Sequence, residues 1–169
     1  STFFASAITG VVNAVYNQAN MILVVLDNST TAMTGHQPHP GTGRTVMGEI
    51  VQKINIEQVL RGIGVTEIET INPLELEASV SCVKRMAEKS GVRAIIFKAP
   101  CIAVTKPKAP LHIDQDSCIG CKKCIRDLGC PAIVMNDGKV CIDASMCTGC
   151  HLCSQVCPVC AIAGGDDHE

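Results

Sequence analysis

The stretch Cys147-Thr-Gly-Cys-His-Leu-Cys-Ser-Gln-Val-Cys-Pro158 decides how the C-terminal part of this 169-residue sequence folds. Two residues separate each of its first three cysteines, and a fourth cysteine follows after three more residues, directly before proline. Two-residue gaps let one tight loop place three thiolates around one face of a metal cluster, while backbone N–H groups offset the cluster's negative charge. The spacing therefore predicts a cysteine-bound metal centre.

An earlier copy of this stretch precedes it. The first three cysteines recur 29 residues upstream, at Cys118, Cys121 and Cys124. Cys130-Pro131 precedes Cys157-Pro158 by only 27 residues, so the first copy has two extra residues before its fourth cysteine. A duplicated set with this spacing resembles that of bacterial two-cluster ferredoxins. We therefore predict a ferredoxin-like domain that transfers electrons through two four-iron, four-sulfur clusters.

The resemblance to ferredoxins also implies how the ligands are shared. In two-cluster ferredoxins, each repeat supplies three thiolates to one cluster and the fourth to the other cluster. Cluster 1 is therefore assigned to Cys118, Cys121, Cys124 and Cys157. Cluster 2 is assigned to Cys147, Cys150, Cys153 and Cys130.

Zinc and disulfide bonds are the alternatives for so many cysteines. Paired Cys-x-x-Cys motifs also bind zinc, but zinc sites usually use two pairs rather than a duplicated triplet with a Cys-Pro. Disulfides would imply a secreted chain. Of the four remaining cysteines, only Cys160 is considered as a substitute ligand. The other three are interpreted as packing residues: Cys82, Cys101 and Cys141.

Composition indicates the class of the whole chain. Apolar residues make up 47% of the chain, which suffices for a packed core. No aromatic residue follows Phe97, so the last third of the chain cannot build its core around aromatic rings and must be held together in another way. The longest strongly apolar run, Met21 to Leu26, has six residues, whereas a membrane span needs about 20. With reduced thiols, this favours a soluble, cytoplasmic protein.

The net charge of −2 is unevenly distributed. Residues 1–110 contain ten Lys and Arg and eight Asp and Glu, whereas residues 111–169 contain four and eight. An acidic, cysteine-rich segment does not suit nucleic acid. It suits docking to a basic redox partner, and solubility alone would explain it equally well.

Helix and strand patterns alternate before the cysteine repeats. Helical spacing of apolar residues follows Ala7, and the run Met21 to Leu26 predicts a buried, parallel strand. The later elements are a helix at 57–61, a strand at 66–71, a helix at 74–89 and a strand at 93–98. This alternation predicts an α/β domain with a mainly parallel sheet.

Four segments follow from these patterns. The α/β domain is predicted at 1–104, a Pro- and Lys-rich linker at 105–111, an α+β ferredoxin-like domain at 112–165 and a tail at 166–169.

The segment from Leu26 to Gly41 leaves the end of a predicted strand, where ligands bind in α/β sheets. It closely resembles the thiamine diphosphate motif of the 2-oxoacid:ferredoxin oxidoreductases, above all those that act on indolepyruvate. In that family the motif opens with Gly-Asp, runs through a helix and a strand, and closes at an Asn. Ser1-Thr-Phe-Phe4 resembles the stretch directly after the Gly-Asp, and Asn28 takes the place of the closing Asn.

The resemblance implies roles for single residues. Asn28 and the backbone carbonyl of Thr30 would bind Mg²⁺, whose preferred ligands are oxygens. The loop residues that would line the diphosphate and substrate side include Thr31, Gly35 and Gln37. The α/β domain is thus expected to be part of a thiamine diphosphate-binding domain.

His39 is the candidate catalytic residue, as a proton donor or substrate contact near the cofactor. The alternative is a loop histidine that faces solvent or caps a turn. His36 is a weaker candidate for the same role. Arg44 could pair with a phosphate or carboxylate, although a surface role is favoured.

The resemblance further implies an enzyme that oxidatively decarboxylates aryl pyruvates such as indolepyruvate to acyl-CoA. Its partners would be a small (beta) subunit, coenzyme A, the 2-oxo acid and ferredoxin as electron acceptor. The Gly-Asp and the domain for the cofactor's pyrimidine ring are absent, so we expect part of a much longer subunit, inactive by itself. The alternatives are a stand-alone ferredoxin-type electron carrier with an N-terminal α/β extension, or a scaffold that uses its clusters for folding.

Overall fold

The computed structural model describes residues 2–106 and 108–164. The chain divides into two compact units after Val104. The first unit is α/β with a parallel sheet, and the second is α+β with two small antiparallel sheets, as the sequence predicted. The predicted tail at 166–169 lies outside the described residues.

A three-stranded parallel sheet forms the centre of the first unit. Its strands are β1, Met21–Asp27; β2, Glu67–Ile71; and β3, Val92–Lys98. They lie in the order β1-β3-β2, with β3 in the middle. Asp27 pairs with Lys98, and Ile71 pairs with Phe97, so all three carboxyl ends lie along one edge of the sheet.

Strand β1 is parallel, as predicted, but it is an edge strand rather than a buried one. Val25 faces the core and is 7% exposed, whereas Val24 and Leu26 on the other face are 48% and 76% exposed. A continuous apolar run predicts a strand but does not show whether both of its faces are covered. The prediction of burial was therefore wrong for half of the strand.

Helices cover both faces of this sheet. They are α1, Ile8–Tyr16, which follows a π-helical turn at Phe3–Ala7; α2, Ile56–Ile63; and α3, Leu76–Glu88. Val11 and Leu60 from α1 and α2 pack with the Val25 side of the sheet. Cys82 and Met86 of α3 are fully buried against Ile95 on the opposite side.

Local hydrogen bonds set the helix ends. Asn55 caps α2 by accepting the Gln58 N–H at 3.1 Å, and Gly64 ends it with a φ of 108° that only glycine adopts readily. Helix α3 begins at Leu76 instead of the predicted Leu74. The Asn72 side chain accepts the Leu74 N–H at 3.0 Å and forms a turn before the helix.

The second unit repeats a loop, a short helix and a strand. Its helices are α4, Lys123–Leu128, and α5, Leu152–Val156. Its strands are β4, Leu111–Ile113; β5, Ile133–Asn136; β6, Lys139–Ile142; and β7, Ile162–Gly164. Strands β4 and β7 form one antiparallel pair, and β5 and β6 form another. Leu111, within the predicted linker, is therefore the first residue of β4.

Sulfur and small aliphatic side chains build the core of the second unit. Its buried members are Leu111, Ile133, Val140, Cys153 and Ile162, with Cys124, Cys130, Cys147 and Cys157 packed against them. This agrees with the absence of aromatic residues after Phe97. In the part of the chain that the structure describes, no helix has the length and apolar character needed to cross a bilayer.

Candidate functional site

One cavity of the second unit is lined by four cysteines. They are Cys118, Cys121, Cys124 and Cys157. Cys118 and Cys121 come from the loop before α4, Cys124 lies in the first turn of α4, and Cys157 follows α5 in the other repeat. Ile113, Val140 and Ile162 add apolar walls. The structure thus brings together the four residues assigned to cluster 1.

The electrostatics of Cys124 show how close its neighbours are. Burial raises the pKa of the Cys124 thiol, and the charges of Cys121 and Cys157 raise it further. Hydrogen bonds from the backbone N–H groups of Ile125 and of Cys124 itself act in the opposite direction. Cys157 therefore lies near enough to the first loop to interact with its thiols.

Cys130 likewise lies close to the thiols of the second loop. Burial raises the pKa of Cys153 to about 11, and the charges of Cys150, Cys147 and Cys130 add to this shift. Only thiolates bind iron, so metal binding must displace these protons and weakens as pH falls. Each repeat thus places one cysteine beside the other repeat's loop.

Two further backbone N–H groups donate hydrogen bonds to cysteine sulfurs. Leu111 N–H donates to Cys147 Sγ at 3.4 Å, and Ala161 N–H donates to Cys157 Sγ at 3.3 Å. Such bonds stabilise the negative charge that thiolates and an iron–sulfur cluster carry. One of these two bonds reaches a thiol of each set of four cysteines.

The two cysteine loops share one backbone conformation. Gly120 and Gly149 both have a φ of 65°, and the residues two positions later, Lys122 and His151, have φ values of 57° and 60°. A left-handed conformation costs a side-chain-bearing residue about 1 kcal/mol or more, so its repetition indicates a geometry that the ligand set requires. The sequence repeat is therefore a repeat of loop structure.

The thiols fit a pair of iron–sulfur clusters. All twelve cysteines are free, as ligation of a cluster by thiolates requires. No group of three or more His, Cys, Asp or Glu side chains within residues 2–106 and 108–164 is arranged to hold a single metal ion. Four thiols around an apolar cavity instead suit a cubane, in which each iron takes one thiolate.

The remaining cysteines lie outside these two sets. Cys82 is buried under the sheet, Cys141 belongs to β6, and the backbone N–H of Cys101 donates to the Asn28 carbonyl at 3.0 Å. Cys160 is exposed, and its N–H donates to the Cys157 carbonyl at 3.4 Å.

Asn28 directly follows β1, where two overlapping turns begin at Asp27 and at Asn28. The Asp27 carboxylate accepts the Ser29 N–H at 3.0 Å, and the Asn28 side-chain oxygen accepts the Thr30 N–H at 3.3 Å. Thr30 is only 6% exposed. The Asn28 oxygen has a second lone pair, which fits a hard cation such as Mg²⁺.

The residues predicted to face the diphosphate form one closed turn. Thr31 and Gln37 pair across an antiparallel bridge around a 3₁₀ turn at Ala32–Thr34. His36 N–H donates to the Thr31 carbonyl at 2.9 Å, and Gly35 has a φ of 102°. The structure thus brings Thr31, Gly35 and Gln37 together just beyond Asn28.

His39 is half-buried and packs on an aromatic ring. Its ring centroid lies 5.8 Å from that of Phe4, and its Nδ1 accepts the Gly41 N–H at 3.1 Å. Nδ1 as the acceptor leaves Nε2 as the protonated nitrogen of the neutral ring. A neutral His39 can therefore donate a proton or hydrogen bond through Nε2.

We expect His39 to titrate below 6.5, its ordinary value. Burial lowers its pKa, and the negative charge of Asp27 only partly opposes this. The unfolded chain then binds the proton more tightly, so this residue's contribution to stability is lost as pH falls below about 6.5. A proton NMR titration of the His39 ring measures the pKa. Phe4→Ala should raise it by re-exposing the ring, and a value above 6.5 in the unaltered chain would contradict the prediction.

Arg44 lies beside the histidine loop rather than within the thiamine turn. It lines a cavity together with His39, Pro38 and Pro40, and its guanidinium donates to the Gly48 carbonyl at 3.1 Å. The bond to a backbone carbonyl gives Arg44 a role in shaping the loop.

A polar cavity at the carboxyl ends of the strands was not predicted. Its walls include Asp27 of β1, Thr70 of β2 and Lys98 of β3, together with Lys53 and Glu57. Its volume is about 330 Å³. The signal was available, since strand ends in a parallel sheet mark ligand sites, but it required knowing which strands are neighbours.

Family models match both parts of the chain. Residues 1–97 match the model described as thiamine pyrophosphate enzyme, C-terminal TPP binding domain, and residues 110–158 match the 4Fe-4S dicluster domain. The chain therefore belongs to the thiamine pyrophosphate enzymes, with a TPP-binding domain followed by a 4Fe-4S dicluster domain.

Curated relatives confirm the resemblance to the indolepyruvate enzymes. The chain is 44% identical to indolepyruvate oxidoreductase subunit IorA of Methanothermobacter thermautotrophicus over 164 residues, which are 96% of this chain and 26% of that subunit. Subunit IorA of Archaeoglobus fulgidus is 40% identical, over 96% of this chain and 27% of the relative. The chain spans about a quarter of the length of these relatives. No solved structure matches it.

Proposed function

We propose that this chain is part of a thiamine diphosphate-dependent 2-oxoacid:ferredoxin oxidoreductase that converts aryl pyruvates, such as indolepyruvate, to acyl-CoA. Electrons would pass through two iron–sulfur clusters to ferredoxin. The observation that carries the proposal is the joining of a TPP-binding domain to a unit in which each cysteine loop lies beside a thiol from the other. Two clusters accept one electron each, so together they can take up both electrons of a two-electron oxidation and pass them singly to a one-electron acceptor.

The residues after β1 would bind the cofactor and its metal ion. When bound, thiamine diphosphate supplies the electron sink for decarboxylation, and the clusters accept electrons singly. Asn28 and the Thr30 carbonyl would hold Mg²⁺, while the turn that contains Thr31, Gly35 and Gln37 would face the diphosphate. His39 would donate a hydrogen bond or proton from Nε2.

The eight thiols would hold the clusters in the crossed arrangement. Cys118, Cys121, Cys124 and Cys157 would bind cluster 1, and Cys147, Cys150, Cys153 and Cys130 would bind cluster 2. The N–H groups of Leu111 and Ala161 would stabilise one thiolate of each set. A small subunit, coenzyme A and a cytoplasmic location, where thiols stay reduced, complete the proposal.

A stand-alone electron carrier is the second candidate. It is favoured by the fact that all eight assigned thiols lie in the second unit, after Val104. The first unit argues against it, since an electron carrier has no need of a TPP-binding domain.

The test is an anaerobic assay of the native complex that contains this chain. We expect indolepyruvate to reduce ferredoxin only when coenzyme A and thiamine diphosphate are present. Asn28→Ala should lower this activity at least about tenfold and the affinity for thiamine diphosphate with it, because a metal ligand is lost. Ser29→Ala alters an exposed neighbour that has no assigned role and should change little.

Two results would count against the proposal. Ferredoxin reduction that needs no 2-oxo acid would favour the electron carrier. Equal losses in the Asn28→Ala and Ser29→Ala variants would remove Asn28 from the metal site.

A further inference from the structure

The two cysteine loops differ in exposure although they share one backbone conformation. Four consecutive residues of the first loop are all exposed: Gly120, Cys121, Lys122 and Lys123. Their counterparts in the second loop are all buried or half-buried: Gly149, Cys150, His151 and Leu152. The first loop is therefore the more open of the two.

The segment before β4 covers the second loop. A Cβ added to Gly149 would lie 2.7 Å from both the Ala109 carbonyl oxygen and the Lys108 Cβ. A Cβ added to Gly120 would meet nothing within 4 Å. Electron tunnelling slows steeply with distance, so a partner protein reaches the centre held by the first loop more readily.

Basic residues are concentrated at the open loop. Residues 111–169 contain four Lys and Arg in all, and three of them are Lys122, Lys123 and Arg126. Lys123 forms an ion pair with Asp127, so Lys122 and Arg126 supply the positive charge. The equivalent positions of the second repeat contain no Lys or Arg: His151, Leu152 and Gln155.

Two carboxylates precede the open loop, and one of them has a structural role. Asp114 accepts the Ser117 hydroxyl and the Asp116 N–H, which lower its pKa. Asp143 makes the same kind of turn before the second loop. Asp114 and Asp143 therefore carry the same charge in the two repeats. Beyond them, the first loop has three basic residues against Asp116 and Asp127, whereas the five equivalent positions of the second repeat hold no Lys, Arg, Asp or Glu. The first loop is thus more positive than the second by one charge.

We propose that the surface formed by Ile119, Lys122 and Arg126 is the docking site for an acidic protein that accepts one electron. The proposal rests on the function proposed above. Each encounter would move one electron from the centre held by the first loop to the partner, with no bond or proton exchanged. Ile119 is 64% exposed and supplies an apolar contact, and the exposed Lys122 and Arg126 supply cations that complement a negatively charged ferredoxin. The net acidity of residues 111–169 had suggested a basic partner instead.

Stopped-flow kinetics test the site directly. The full chain is loaded with iron and sulfide anaerobically, reduced with dithionite, and mixed with an acidic two-cluster ferredoxin. Lys122→Glu should lower the second-order rate constant about tenfold at low ionic strength, because it removes electrostatic steering. The difference should shrink at high salt, where charges are screened.

Two control variants separate position from charge. Lys139→Glu makes the same charge change on the exposed strand β6, and Gln155→Glu places a carboxylate at the second-repeat equivalent of Arg126. Both should stay within about twofold of the unaltered chain at low ionic strength. Carbodiimide cross-linking to the ferredoxin should join Lys122 or Lys123, rather than Lys108 or Lys139.

The results distinguish the two proposals, since dithionite bypasses the thiamine chemistry. A loaded chain that is slowed equally by Lys122→Glu and Lys139→Glu, or that cross-links through Lys108, would overturn the docking site alone. A chain that takes up no iron would overturn the proposed function, and the docking site with it.

Discussion

Replacing Cys130 with serine is expected to empty the second cysteine loop and leave the first one filled. The structure places Cys130 beside Cys153, so its thiol would complete the set of the other repeat. The iron content should fall from about eight to about four atoms per chain, one cluster's worth. Cys157→Ser should do the reverse and empty the first loop. Without crossed ligands, each variant would empty its own loop.

Alkylation with iodoacetamide followed by mass spectrometry distinguishes the two outcomes. In the Cys130→Ser variant, cysteines 147, 150 and 153 should be modified, and cysteines 118, 121 and 124 should be protected. Cys160→Ser removes an exposed thiol outside both sets and serves as the matched control, with its iron content unchanged. Modification of the first loop in Cys130→Ser would refute the crossed arrangement.

Removing the iron is expected to unfold the second unit while the first unit stays folded. Five residues in the core of the second unit are assigned cluster ligands: Cys124, Cys130, Cys147, Cys153 and Cys157. Without metal, their thiols regain protons and the small aliphatic residues must hold the unit alone. Metal binding contributes on the order of 10 kcal/mol to folding in small metal-stabilised domains.

Hydrogen exchange monitored by mass spectrometry measures this effect. After chelation of iron, peptides from β4 to β7 should lose their protection, whereas peptides from β3 should keep theirs, because Ala94 and Ile95 are fully buried in a separate core. The same loss should occur more easily as pH falls, since Cys153 has a pKa of about 11 and must release its proton to bind metal. Retained protection in β4 to β7 would contradict the prediction.

The regular elements were predicted well because their signals are local. The strands and helices of the first unit follow from apolar periodicity, although their ends were less exact. Helix α2 runs over Ile56–Ile63 rather than over the predicted 57–61. The cysteine repeat likewise indicated the second unit, since its spacing is tied to the geometry of one loop. Cys157 could be placed beside the first loop despite the sequence separation, because the resemblance to ferredoxins implies that each repeat gives its fourth thiolate to the other repeat's cluster.

Long-range features were harder to predict. The exposure of Val24 and Leu26 depends on which strand occupies the sheet edge, and the cavity between Asp27, Thr70 and Lys98 depends on strand order. Neither is encoded in a local pattern. The difference between the two cysteine loops also escaped notice, because the chain that covers Gly149 comes from outside the repeat.

The placement of Cys157 beside the first loop has a consequence for biogenesis. A ribosome makes the chain from its N-terminus, so the four thiols assigned to the second loop's set are all synthesised by residue 153. The first loop is made earlier, yet its fourth thiol arrives only with Cys157. In the crossed arrangement the first loop to be translated is thus the last to be completed, and its three thiols stay open to oxidation or stray metals until then.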